Sequence, residues 1–239
     1  MNSIIDSVTA SRRLKIFMTY CVMTYVVLNL LLNLLKNYVS FFGGGTGALV
    51  YAFISLLVKA PLIYGMVRGI VTKNYKFSSS LGAFGEVKNY GVYAAYAIVN
   101  ITYEIIYALI DGFSKDGGTL AAVAGALSVI LIVARLLINF YLVELYFESI
   151  DVSGKLALGK SIKGCSRVLG KYPLKVLGAE LLMLASNAVA FLISSTFISM
   201  LPKNDAVSLI ILSLNDILYG FLILVWPVYY LYYRYLLEE

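Results

Sequence analysis

Six ionisable side chains lie inside long apolar runs of this chain or, for Glu144, directly at the end of one, and they are the residues whose type and position could do chemistry. A charge near the centre of a membrane-spanning helix costs ~2.5–3.5 kcal/mol on insertion scales. Such a residue therefore either pairs with an opposite charge or lines a path for protons or substrate, and the sequence leaves both alternatives open. The six candidates are Lys59, Glu104, Arg135, Glu144, Glu180 and Asp216.

The depth of these residues in their apolar runs predicts which of them meet. At ~1.5 Å per residue from one end of each run, Lys59 lies ~14 Å deep and Glu180 ~10 Å deep. On the same scale Arg135, Glu104 and Asp216 lie ~18, ~21 and ~25 Å deep. We predict that Lys59 pairs with Glu180, because an unpaired charge in a low dielectric is strongly destabilising. For the same reason we predict that Arg135 lies between Glu104 and Asp216.

The residue types argue against catalysis. The chain has no His, so a nucleophilic triad with His and a haem His ligand are both unsupported. Its two cysteines, Cys21 and Cys165, form no Cys-x-x-Cys and give no tetrahedral zinc site. Asp216 is the one Asp deep in an apolar run, so intramembrane proteolysis by an Asp pair has no second acid. We therefore predict a protein that is not an enzyme, without catalytic residues, metal or cofactor.

The elements that must position these residues are membrane-spanning helices. Of 239 residues, 61% are hydrophobic and only 13% charged, which is far more apolar than a soluble domain. Each apolar run approaches or exceeds the ~20 residues that cross a ~30 Å hydrocarbon core, and the runs lack the alternating polarity of barrel strands. We predict an all-α polytopic membrane protein, a single transmembrane domain over 1–239 with six spans at about 14–35, 47–67, 90–110, 120–143, 174–200 and 206–230.

Basic residues orient the six predicted spans. Fourteen of the nineteen Lys and Arg residues adjoin the predicted spans on one side of the membrane, and three adjoin them on the other side. Because Lys and Arg near span ends are retained in the cytosol, we predict that both termini are cytosolic. The net charge of +6 then indicates contact with anionic lipid headgroups on that face rather than with nucleic acid.

The spans form three hairpins, and each is preceded by a segment with apolar or small residues at i, i+4 and i+7. This spacing marks one face of a helix, so we predict three cytosolic amphipathic helices in the interface plane. The alternative explanation is that amphipathic connectors share this spacing by chance. The trios are Ile4, Val8 and Ser11; Phe77, Leu81 and Phe84; and Leu158, Ile162 and Cys165. The predicted lipid or partner surface of the third segment is Lys155, Lys160, Lys163, Arg167 and Lys171.

A second repeated spacing occurs at the ends of two predicted spans. Pro61, Tyr64 and Arg68 close the second span, and the sixth ends with the same P-x-x-Y-x-x-x-R spacing at 227, 230 and 234. We interpret this repeated spacing, together with the three amphipathic segments, as a threefold repeat of parallel hairpins. The pseudo-symmetry axis of such a repeat would run along the membrane normal.

Several stretches between about residues 55 and 180 resemble a bacterial family. They are Pro61-Leu-Ile-Tyr-Gly, Phe77, Leu81-Gly-Ala-Phe84, Lys88-Asn-Tyr90, Tyr146-Phe-Glu, Ala157-Leu-Gly-Lys-Ser161 and Gly170-Lys171. The chain thus resembles uncharacterised six-helix integral membrane proteins, a domain of unknown function akin to the membrane domain fused to some glycerophosphodiester phosphodiesterases. The resemblance implies a multi-pass protein of the bacterial plasma membrane with six helices. It brings no activity and no catalytic residues, and the phosphodiesterase domain is absent from this sequence.

These observations predict a non-catalytic membrane protein that is an accessory or regulatory component, or a subunit, of a transport or export assembly. Its partners would be membrane lipids and another membrane protein or an ATPase. The alternative is a transporter or export permease with a polar path around Arg135, Glu104 and Asp216. A lipid-modifying membrane enzyme is the weaker alternative, because the chain lacks a metal motif and paired acids.

Overall fold

The computed structural model describes residues 12–43, 45–114, 118–151, 156–200, 229–231 and 233–234. Within these residues every regular element is a helix, which agrees with the predicted all-α class. The α-helices are α1 (Arg12–Tyr38), α2 (Gly45–Val71), α3 (Phe77–Leu81), α4 (Tyr90–Ser114), α5 (Gly118–Asp151), α6 (Leu158–Lys171) and α7 (Pro173–Met200). Short 3₁₀ turns occupy Ser40–Gly43, Gly82–Gly85 and Val87–Asn89, and residues 229–231 and 233–234 are helical.

Four helices among the described residues are long and apolar enough to cross a membrane. They are Arg12–Lys36, Thr46–Val71, Val87–Ile110 and Ala121–Ile150. They contain the first four predicted spans, except that the fourth was predicted to begin one residue earlier, at Leu120. The fifth predicted span coincides with the 28-residue helix α7. The sixth, at 206–230, and the first amphipathic segment, with Ile4, Val8 and Ser11, lie outside the described residues except for 229 and 230.

The hydrophobic core lies at one end of the bundle, which we call the packed end. It gathers the first half of α1, the second half of α2, the start of α4 and the second half of α5. Phe17, Met66, Tyr93 and Phe140 are among its fully buried side chains. Toward the other end the same helices expose large apolar side chains, as expected for surfaces that meet lipid rather than protein.

The segment between α2 and α4 packs into the core but is not the continuous amphipathic helix that its spacing predicts. It consists of α3, which has five residues, and two 3₁₀ turns. Ser80, Ala83 and Asn89 are its buried residues, whereas Leu81 of the predicted apolar face is exposed. Helix α3 comes so close to α2 that a Cβ at Gly65 would lie 2.4 Å from the Ser80 carbonyl oxygen. Small residues, rather than the apolar trio, set this approach.

Candidate functional site

A buried ion pair joins α5 to the last described helical residues. The Glu144 side chain is fully buried, and its Oε1 accepts a hydrogen bond from Arg234 Nε at 2.8 Å. Its Oε2 accepts one from the Tyr230 hydroxyl, also at 2.8 Å. Arg234 Nη2 lies 3.3 Å from Glu148 Oε1, one turn further along α5. Both carboxylate oxygens of Glu144 therefore have charged or polar donors, as burial of a charge requires.

The Arg234 guanidinium is held from a third direction as well. Its Cζ lies 4.9 Å from the centroid of the Phe147 ring, which places a cation over an aromatic face. Arg234 itself is only 8% exposed. This arrangement fixes the guanidinium in one orientation between two carboxylates on α5, and we call Glu144, Glu148, Tyr230 and Arg234 the carboxylate latch.

Helix α6 rests directly on the carboxylate latch. A Cβ built at Gly164 would lie 1.8 Å from Glu144 Oε1, so only a glycine allows α6 to approach this closely. The face of α6 turned to the bundle carries Ser161, Gly164, Cys165 and Val168. These residues follow i, i+3, i+4 and i+7, the spacing of one helical face.

The face of α6 in contact with the bundle lies beside the apolar face that the spacing predicts. Of that trio Cys165 is buried, whereas Leu158 and Ile162 are 45% and 57% exposed, and the position of α6 in the interface plane stays a prediction. At the point of closest approach the carboxylate latch leaves no room for a side chain at position 164. Burial and the nearby charge of Glu144 raise the pKa of the Cys165 thiol to about 11.

A second charged cluster lies where the α3 segment folds against α2. Arg68 Nη1 contacts Glu86 Oε1 at 2.5 Å, and Arg68 Nη2 donates to the Ser79 carbonyl oxygen at 2.6 Å. Asn89 Nδ2 donates to the other carboxylate oxygen of Glu86 at 2.7 Å. Burial alone would raise the pKa of Glu86, but the hydrogen bond and charge of Arg68 outweigh it, and the net pKa lies below its ordinary value of 4.5.

We expect the Arg68–Glu86 pair to make stability fall in acid. Because the folded-state pKa of Glu86 is lowered, its contribution is complete above the ordinary value of 4.5 and is lost as pH falls through the folded pKa. Glu86→Gln should lower the free energy of unfolding by about 1 kcal/mol at pH 7. The difference between the variant and the unaltered protein should shrink steadily below pH 4.5. Thermal unfolding in detergent across pH 3 to 7 measures both, and a constant difference would contradict the pairing.

The repeated P-x-x-Y-x-x-x-R spacing acquires a structural role at two places. Arg68 and Arg234 each bind a carboxylate at the packed end, and each follows a buried tyrosine, Tyr64 or Tyr230, by one turn. The proline of the second copy lies outside the described residues. The sequence pattern included both arginines, but it gave no indication of Glu86 and Glu148 as partners, and the threefold repeat stays a prediction.

Four tyrosines connect the two clusters. The Tyr64 ring stands edge-on to the rings of Tyr93 and Tyr146, with centroids 5.5 Å apart in each case, and Tyr96 stacks on Tyr146 at 5.5 Å. The Tyr93 hydroxyl donates to the Ala83 carbonyl oxygen at 2.9 Å. Such ring pairs add about 0.5–1.5 kcal/mol each beyond area burial, so they rigidly join α2, α4 and α5.

Buried polar atoms beside the tyrosines lack a hydrogen-bond partner within the described part of the chain. They include the hydroxyls of Tyr146 and Ser149 and Oδ1 of Asn89. Tyr146 and Ser149 are three residues apart on α5 and so share a face. Neither was among the candidates from sequence, because an isolated hydroxyl in an apolar helix carries no distinctive pattern.

The structure describes only some of the residues in the predicted intramembrane pairs. Lys59 Nζ lies 5.4 Å from the centroid of the Tyr25 ring. The Glu180 side chain and all of Asp216 lie outside the described residues, so the Lys59–Glu180 pair stays a prediction. Arg135 Cζ lies 4.8 Å from the centroid of the Tyr103 ring.

Glu104 does not form the predicted pair with Arg135. Among the described residues the two make no ion pair, and Glu104 is exposed on the surface of α4. Arg135 Nη1 is buried and has no hydrogen-bond partner in that part of the structure. The depth match was sound along the helix axis, but it contained no information about which side of α4 carries Glu104.

The predicted basic surface lies on α6, apart from Lys155, which is outside the described residues. Its exposed members are Lys160, Lys163, Arg167 and Lys171. Among the described residues no group of three or more His, Cys, Asp or Glu side chains could hold a metal ion. Comparison with protein-family models, with curated proteins and with solved structures finds no match. The resemblance to the bacterial six-helix family accordingly stays a prediction.

Proposed function

We propose that the protein is a non-catalytic subunit or accessory component of a transport or export assembly in the bacterial plasma membrane, with six spans and cytosolic termini. The observation that carries this proposal is the exposed carboxyl group of Glu104 on a membrane-spanning helix. Counted from Tyr90, the start of α4, Glu104 lies ~21 Å along the helix, which is within the ~30 Å hydrocarbon core.

A carboxylate at this depth is unfavourable against lipid. It costs ~2.5–3.5 kcal/mol near the helix centre, and intramembrane acids generally face protein or water instead. The same face of α4 is exposed beyond Glu104, with Tyr107 and Ala108 one turn further along the helix. An apolar surface with one acidic group fits a second membrane protein that supplies a polar or basic side chain opposite Glu104. We therefore assign this face of α4 to a subunit contact.

Photocrosslinking tests the subunit contact. A photoactivatable residue at Tyr107, one turn from Glu104, should give an adduct with a distinct membrane protein in native membranes, and Glu104→Gln should reduce its yield severalfold. A photoactivatable residue at Leu192, which is also exposed on α7, serves as the control and should give lipid adducts only. Lipid adducts alone at both positions would contradict the proposal.

One observation favours the permease as a second candidate. The buried Nη1 of Arg135 has no hydrogen-bond partner among the described residues, and a water-filled path beside Arg135 would supply one. In that case Ile138→Cys, one turn from Arg135, should react with a membrane-impermeant thiol reagent from at least one side. Protection from both sides, with normal labelling of a cysteine at exposed Lys76, would exclude an aqueous path.

A further inference from the structure

The three sides of α6 face three different environments. A helix turns ~100° per residue, so the bundle face of Ser161, Gly164, Cys165 and Val168 has its centre ~100° from the Leu158 and Ile162 edge. The basic residues lie on the opposite flank, again ~100° from the bundle face. Lys160, Lys163, Arg167 and Lys171 are all exposed there, and Leu158–Lys171 contains no acidic residue.

The depth of α6 along the bundle is fixed by the contact between Gly164 and Glu144. Helix α5 has 34 residues and is ~51 Å long, which exceeds the ~30 Å hydrocarbon core. Glu144 is the first charged residue after the apolar stretch that follows Arg135, and Asp151 ends the helix ~10 Å beyond it. Helix α5 thus continues past Glu144, and α6 contacts it at the level at which the apolar stretch ends.

A helix at that level, with the bundle at its side, has one edge toward the acyl chains and the opposite edge toward the headgroups. The apolar edge with Leu158 and Ile162 suits the acyl chains, and the long basic side chains suit the phosphate layer. A helix for docking a soluble protein would instead be displayed beyond the end of α5. The contact of α6 with α5 at the Glu144 level therefore favours lipid over a cytosolic protein.

We propose that α6 is a binding site for anionic phospholipids, with phosphate-bearing headgroups at Lys160, Lys163, Arg167 and Lys171 and acyl chains against Leu158 and Ile162. Clusters of four or more basic residues on an amphipathic helix attract anionic headgroups electrostatically. Glycine at 164 and the carboxylate latch hold α6 in the rotation that presents both edges. This proposal does not depend on the subunit contact at Glu104.

The first test measures lipid selectivity with the purified full chain in phosphatidylcholine vesicles that contain spin-labelled phosphatidylglycerol or phosphatidylcholine. The unaltered protein should prefer the anionic label by about threefold to fivefold. The variant with Lys160→Gln, Lys163→Gln, Arg167→Gln and Lys171→Gln should lose that preference. The matched control neutralises four exposed basic residues elsewhere, Lys15, Lys73, Lys76 and Lys88, and should keep it.

The second test measures the depth of the apolar edge. With both native cysteines replaced by Ala, a fluorophore on Ile162→Cys should be quenched by brominated acyl chains and not by aqueous iodide. Quenching by iodide alone would overturn the proposal, as would equal loss of lipid selectivity in the α6 variant and its control. The proposal would also be wrong if the α6 variant released a soluble protein from native membranes while lipid selectivity stayed unchanged.

Discussion

We expect Arg234→Met to lower the free energy of unfolding by about 3–5 kcal/mol, because it leaves the fully buried Glu144 carboxylate without its cationic partner. For a chain of this size that loss corresponds to a drop of roughly 10 °C in the midpoint of thermal unfolding. The Tyr230 hydroxyl would remain as one donor, but it carries no charge to offset that of Glu144. Thermal unfolding in detergent measures the effect.

Two further variants separate a lost ion pair from a general packing defect. Glu148→Gln removes the longer contact of Arg234, at 3.3 Å, and should cost about 1 kcal/mol. Combining Arg234→Met with Glu144→Leu removes both charges and should recover most of the stability, because apolar replacement of a buried pair is often neutral. If the double variant were as unstable as Arg234→Met alone, packing rather than the uncompensated charge would be responsible.

We expect Gly164→Ala to destabilise the protein by about 2–4 kcal/mol, although alanine is the better helix former. The new Cβ would lie 1.8 Å from Glu144 Oε1, and that oxygen cannot move aside without losing the bond to Arg234. Either α6 moves away from α5 or the ion pair breaks. Thermal unfolding reports the loss, and alkylation of Cys165 reports the movement of α6.

The same helix offers matched controls for Gly164→Ala. A Cβ at Gly159 or Gly170 meets no atom within 4 Å, so alanine there should leave stability unchanged or raise it by up to about 1 kcal/mol. In a Cys21→Ala background, the buried Cys165 thiol with its pKa of about 11 should react slowly at pH 8 in both controls. Fast alkylation is expected only for Gly164→Ala, and equal rates in all three would contradict the predicted displacement.

The helical class and the first four spans could be predicted from the sequence because both follow from hydropathy and length. Helices α1, α2, α4 and α5 contain the predicted spans, and each continues beyond its span at one or both ends. Hydropathy reports where lipid surrounds the chain, but it does not report where a helix continues past the lipid. For this reason the predicted span at 120–143 ended just before Glu144, the residue on which the packed end depends.

The site was only half predictable, and the missing half has a physical explanation. Glu144 was a candidate because a carboxyl group at a span end is costly, whereas Arg234 was assigned to orientation and to the repeated spacing at the span ends, and not to a charge pair. Their pairing depends on which helix ends meet in space, which no local pattern records. On α6 the apolar periodicity found the edge with Leu158 and Ile162, but the contact with α5 selected for small residues at 161 and 164. Helices approach closely where side chains are small or absent, and a hydropathy pattern does not identify such positions.

The separation of 90 residues between Glu144 and Arg234 constrains the order of events during synthesis. At about 5–20 residues per second, roughly 5–20 s pass between the addition of the acid and that of its partner. During that interval Glu144 has no guanidinium to neutralise it, so α6 cannot settle in its final position. The packed end is therefore completed only after the last helix arrives, and a nascent chain arrested before residue 234 would present an open, charged surface to membrane quality control.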